Sequence, residues 1–184
     1  MDFYTTKRFA NWISKIKKIE VSNESEFLTV FDYMMEDFVV ACLNLLSAVR
    51  KREITKAEAK KELEKIEEIV SSSNVDLNNE LKNQIFKGVK EGLKAIAYSA
   101  RLYLDGKTSK KDFKTLLNDA IKKEKEGKVE EALDAIARMG AKIFKGERLP
   151  EDLDVPESEN IINWLDGIDM INTVLILGEI DSQK

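Results

Sequence analysis

Apolar residues recur three or four apart, the spacing of a helix face, along most of the chain. The first series, Phe9, Trp12, Ile13, Ile16 and Ile19, predicts a helix beginning at Thr5 or Thr6. Either hydroxyl can accept a hydrogen bond from a first-turn N–H. Val21-Ser22-Asn23 reads as a connector, with Asn23 or Ser25 capping the second helix. That helix, over 25–51, carries two adjacent apolar rows. Phe27, Phe31, Met34, Phe38, Ala41, Leu45 and Ala48 form one, and Leu28, Met35, Val39, Cys42, Leu46 and Val49 the other. Two rows bury a wide arc of its circumference and predict a central element. Thr55 with Glu58 three residues on is a capping box that starts a third helix. Its thin stripe of Ala59, Leu63, Ile66 and Val70 places it on the outside, and Ser71-Ser72-Ser73-Asn74 ends it.

A fourth helix begins at Asp76 or Asn78 and runs to about Leu104 on the ridge Leu81, Ile85, Val89, Leu93 and Ile96, closed by Asp105-Gly106. Ser109 with Asp112 starts a fifth, bearing Phe113, Leu116, Leu117, Ala120 and Ile121. Glu126-Gly127-Lys128 is a helix-hairpin turn. A sixth helix follows on Val129, Leu133, Ile136, Gly140 and Ile143, and Gly146 stops it. Residues 147–157, with two prolines and five acids, form an irregular strap, after which Ser158 caps a last helix carrying Ile161, Trp164, Leu165, Ile168, Ile171 and Leu175. Thr173-Val174-Leu175-Ile176-Leu177 is β-branched enough for a short strand, but helix is preferred. The pattern therefore predicts an all-α fold, a single multihelical domain of six or seven helices around two long central ones. Residues 1–146 are its body, and 147–184 an acidic strap and helix packing back on it.

Composition narrows the chemistry more than the fold. Eight Gly and two Pro are too few turn formers for a sandwich or barrel. The lone cysteine, Cys42, excludes an intrachain disulfide and sits in an apolar run that predicts a small buried hydrophobe. The chain has no histidine. That removes Ser-His-Asp and Cys-His nucleophiles, the commonest zinc sites and a helical Glu-x-x-His di-iron site. No cofactor or metal is expected. Met1-Asp2-Phe3-Tyr4 lacks the apolar run of a secretory signal, and the longest apolar stretches fall short of the ~20 residues that span a bilayer. A cytoplasmic location is the expectation.

The net charge of −4 is unevenly spread, at −8 over 147–184 and +4 over the remainder. Two basic groups fall at equivalent helix corners: Arg50-Lys51-Arg52 with Lys56 and Lys60, and Lys107, Lys110 and Lys111. Together they are candidates for one polyanion-binding surface with salt-dependent affinity. A solvated face is the plainer alternative, since helices three and five also carry many acids, and the acidic C-terminal segment is placed to compete for the same surface. On helix four, Gly88, Gly92, Ala95 and Ser99 are small and three or four apart. Glycine costs a helix about 1 kcal/mol relative to alanine, so this stripe marks a close backbone approach. It is either tight packing against helix two or the floor of a groove for a partner helix.

Motifs that carry catalysis are incomplete. Asp105-Gly106 through Asp112 imitates half of a calcium loop, but Arg101 and Tyr103 occupy its first ligand positions. Glu126 to Leu133 imitates a tetratricopeptide turn without the 34-residue period. Carboxylates at helical spacing occur at Asp32/Glu36, expected to pair with a nearby cation, and at Glu64/Glu67/Glu68. A magnesium-dependent nucleotide hydrolase needs a second facing set, which is missing from helix four, where Glu91 faces Lys94 and Tyr98. No glycine-rich phosphate loop is present.

Phe3-Tyr4, Arg8, Asn11-Trp12 and Glu36-Asp37-Phe38-Val39-Val40-Ala41-Cys42-Leu43 resemble a family of small archaeal proteins, an archaeal domain of unknown function. The resemblance implies an archaeal host and no mechanism. Trp12 near Phe3 and Tyr4 is expected to staple the core. Richness in Lys, Glu and Ile, with only Gln84 and Gln183 for glutamine, suits a thermophile. The function expected is a non-enzymatic protein-interaction or regulatory module that self-associates or binds a protein partner. The alternatives are a nucleic-acid- or ribosome-associated regulator using the basic corners, and the magnesium-dependent hydrolase.

Overall fold

The computed structural model describes residues 2–22 and 24–182, so Asn23, one of the two expected caps of the second helix, lies outside the described residues. Among the described residues there are seven α-helices and no strand: α1 (Thr6–Lys18), α2 (Glu24–Arg50), α3 (Lys56–Ser72), α4 (Glu80–Leu104), α5 (Phe113–Lys125), α6 (Val129–Phe144) and α7 (Glu159–Ser182). The all-α expectation holds, and residues 173–177 are helix. Ser25 lies within α2 and is not its cap. Tertiary contacts gather into two units, residues 1–90 and 91–184.

In the first unit α1 packs on α2 and α2 on α3. Most positions of the apolar rows read from the sequence are buried: Phe9, Ile13 and Ile16 on α1, the two rows of α2 around Phe38, Cys42 and Leu45, and Leu63, Ile66 and Val70 on α3, whereas Leu28 of the second α2 row is exposed and Val49 half-buried. Thr55 and Glu58 form the expected capping box, and Thr5 accepts from Arg8 N. The start of α4 differs from expectation. Asn79 accepts from Lys82 N, while Asp76 accepts from Asn78 N and the Asn83 amide, so Asp76 organises the preceding turn. Lys82, although only 4% exposed, is satisfied by two carbonyls at the end of α1, those of Lys17 and Ile19. A cation placed there also meets the negative end of the helix dipole.

In the second unit α5 and α6 form a hairpin, and α6 packs on α7. Gly127 makes the hairpin turn at φ +75°, a conformation in which a Cβ is strained. α5 is capped by Asp112, not Ser109, which instead accepts from Lys111 N. Thr55 and Ser109 therefore play different roles in two corners that look alike in sequence. Two close approaches tie the helices together. A Cβ on Gly167 of α7 would collide with the Gly92 carbonyl oxygen and lie 2.8 Å from the Gly92 carbonyl carbon and Cα, and one on Gly140 of α6 would lie 2.6 Å from Ser99 Cβ. The strap is held at both ends, by Leu149 N donating to Asn172 and by Ser158, which donates to Glu124 and accepts from Ile161 N.

α7 qualifies one sequence expectation. It is the one described helix long and apolar enough to cross a membrane by length and composition. Its first half nevertheless belongs to the folded core, with Ile161, Trp164, Leu165, Ile168 and Ile171 all buried.

Candidate functional site

Five of the residues behind the archaeal resemblance, Phe3, Tyr4, Arg8, Trp12 and Asp37, converge on one node in the first unit. Arg8 donates to Asp37 from Nε at 2.9 Å and from Nη2 at 2.5 Å, and Trp12 Nε1 donates to the same carboxylate at 2.8 Å. Arg8 Nη1 donates to the Phe3 carbonyl at 3.0 Å, and its guanidinium sits over the Tyr4 ring. Burial alone would raise the Asp37 pKa, but the hydrogen bonds from Arg8 and Trp12 and the positive charges of Arg8 and Lys15 hold it below the usual value. Trp12 is half-buried, hydrogen-bonded and covered by Lys15 Nζ at 4.5 Å, so it anchors the node and is not the core staple expected. Asp32 and Glu36 take no hydrogen bond or ion pair among the described residues. The paired carboxylate of α2 is Asp37. The node fastens α1 to α2 and occupies both of its charged groups.

The two basic corners differ in how far their charges are already used. Arg50, Lys51, Arg52 and Lys56 are exposed, and Arg52 has φ +62° in the turn. Lys60 is half-buried and already engaged. At the other corner Lys111 is paired with Asp119 at 2.6 Å and Lys107 lies 3.9 Å from Asp105, while Lys110 is exposed. Nearby, Asp134 accepts from both Arg138 and Tyr98, and Lys123 pairs with Glu131 at 2.5 Å. The second corner is largely neutralised by its own acids.

The small stripe of α4 is filled from within the chain. Gly92 meets Gly167 of α7, and Ser99 meets Gly140 of α6. Ala95 and Ser99 have no exposed surface, and Gly88 is half-buried. Glu91 does bridge to Lys94, at 2.6 Å, but its second partner is Trp164 Nε1 at 3.1 Å, and Tyr98 turns to Asp134. Among the described residues no group of three or more Cys, Asp or Glu side chains is placed to hold a metal.

An exposed apolar surface remains at the far end of α7. Leu177 is 49% and Ile180 50% exposed, Val174, Leu175 and Ile176 are half-buried, and Gly178 faces open space. No lysine or arginine occurs in the helix, whereas Glu179 and Asp181 flank the exposed residues. Apolar residues on every side of this helix were the sequence signal for such a surface, because a helix apolar all round is either enclosed or partnered.

The profile of the family described as "Uncharacterized protein conserved in archaea (DUF2150)" matches residues 2–182. The chain belongs to that family. No curated protein and no solved structure matches it. The match covers both units and all seven helices, so the Arg8–Asp37 node and the α7 surface both lie within the family's span.

Proposed function

We propose that this member of the archaeal family is a cytoplasmic, non-enzymatic protein-interaction module whose docking surface is the outer half of α7. The observation that carries the reading is the run of apolar side chains from Val174 to Ile180, exposed or half-buried where the first half of the same helix buries one face, from Ile161 to Ile171. Exposed apolar clusters with a charged rim mark interaction sites. The helix's own charges at this rim are acidic, Glu179 being paired with Arg148 from the strap, which suits a partner presenting apolar side chains beside a lysine or arginine. Self-association through another face remains compatible with the reading, as does the thermophilic host that the composition suits. The test compares the chain with its Leu177→Lys/Ile180→Lys variant by light scattering and by affinity capture from archaeal cytosol. The expected outcome is a stoichiometric partner held by the parent chain and lost by the variant. Equal behaviour of the two would refute the reading, and recovery in the lipid fraction would make the surface a membrane contact.

A second reading is favoured by the four exposed cations Arg50, Lys51, Arg52 and Lys56 around one turn, which take no ion pair among the described residues. Such a turn suits phosphate groups, as in RNA. Lys51→Glu/Arg52→Glu is expected to weaken RNA binding and to reduce its salt dependence. Unchanged affinity and slope exclude it.

A further inference from the structure

In the first unit, α1 and α3 separate to leave an open cleft of about 700 Å³. The cause is visible in the sequence of both helices. The α1 wall presents Thr6, Ala10 and the edges of Phe9 and Ile13, and the α3 wall presents Ile69 between serines and carboxylates. Small residues meet no bulky counterpart, so the space between the helices stays unfilled. A volume of this size lies within the range of small-ligand sites, roughly 300–1,000 Å³.

The shape and charge of the cleft specify a ligand class. Its floor is apolar, made by Phe9, Ile13, Ile69 and Val75, with Ala10 at the mouth. From Thr5 to Ile13 the α1 wall extends about 12 Å at ~1.5 Å per residue. The rim carries three carboxylates, Asp2, Glu62 and Glu68, against the single ammonium of Lys65. Lys65 is held by Glu62 at 2.6 Å, which leaves the rim net negative. Glu68 takes no ion pair among the described residues. Tyr4 forms one wall, and its buried hydroxyl has no hydrogen-bond partner. An anionic head group would be repelled here, and a neutral apolar molecule would leave the carboxylates unanswered.

We propose that the cleft binds a linear aliphatic amine, with its methylene chain along the apolar floor and its ammonium at the Asp2–Glu68 rim. This site uses other residues than the α7 surface, and neither proposal depends on the other.

Calorimetric titration of the full chain with n-decylamine, n-decanol and decanoate tests it, with all three probes kept below the concentration at which they aggregate. The amine is expected to bind with one-to-one stoichiometry and at least tenfold more tightly than decanol, with decanoate weakest. Ala10→Phe, at an exposed position of α1, fills the mouth of the cleft and is expected to abolish binding. Glu68→Gln should weaken it about threefold, the scale of a partly solvated charge contact. Circular dichroism confirms that both variants are folded, and Leu177→Lys should leave amine binding unchanged. Decanoate or decanol binding as tightly as the amine, or amine binding that survives Ala10→Phe in a folded chain, would overturn the proposal.

Discussion

Asp37 shows what a single residue does that no local pattern announces. Its partners Arg8 and Trp12 lie 29 and 25 positions away, so periodicity within one helix carries no trace of the pairing. The buried lysines are equally silent in sequence. Lys82 and Lys142 reach backbone carbonyls, the latter that of Ser109, and a carbonyl leaves no mark on residue choice. Most buried apolar positions, by contrast, were readable, because burial acts on each residue's own chemistry, although Leu28, Leu81 and Val129, read into apolar faces, are exposed. The node has a pH signature. With its native pKa held below the unfolded value of about 3.9, Asp37 contributes stability that is complete at neutral pH and disappears as pH falls through its native pKa. Arg8 keeps 37% side-chain exposure, so screening by water limits the contribution to about 1–2 kcal/mol. Asp37→Asn is expected to lose that amount in urea unfolding at pH 7, and to approach the parent as pH falls through the native pKa of Asp37. A difference independent of pH would mean that packing, not charge, holds the node.

At the scale of elements, helix existence was legible and helix starts were only partly so. Thr55 with Glu58 is a reciprocal pair, and a pair is a stronger mark than the lone Asx residues before α4, where Asp76, Asn78 and Asn79 compete for the cap. Within the small stripe of α4, Gly92 is approached by the Gly167 position of α7. The stripe's partners could not be read, because Gly140 and Gly167 sit on helices whose arrangement depends on the whole second unit. Two glycines of α7 make the point measurable. Gly167→Ala places a Cβ against the Gly92 backbone, which cannot rotate away, and overpacking of this kind costs about 3 kcal/mol. Gly178→Ala meets nothing within 4 Å. It should gain part of the ~1 kcal/mol helix-propensity difference between glycine and alanine. Thermal melts are expected to move in opposite directions, and a similar shift for both would show that α7 is not clamped at Gly167.

For the whole molecule, the decisive feature is that one helix serves two purposes along its length. Buried positions of α7 end at Asn172, and every residue from Thr173 to Ser182 is half-buried or exposed. The sequence could not display this division, because the apolar pattern runs through Asn172 without a break. Truncation separates the two purposes. Removing residues 173–184 takes away the partly buried Val174, Leu175 and Ile176 and the exposed Arg148–Glu179 ion pair, which is worth at most about 1 kcal/mol. The shortened chain should therefore remain folded, with a loss of about 2 kcal/mol that lowers the melting temperature by roughly 4–8 °C for a chain of this size. It should no longer hold the partner captured through α7. Removing residues 147–184 also strips Ile161, Trp164, Leu165, Ile168 and Ile171 from α6. Burying each such side chain contributes about 1.5–3 kcal/mol, a sum that exceeds much of the stability of an ordinary domain. That chain should lose the fold of its second unit. If the shorter deletion unfolds as readily as the longer one, the outer half of α7 is core and the docking proposal fails with it.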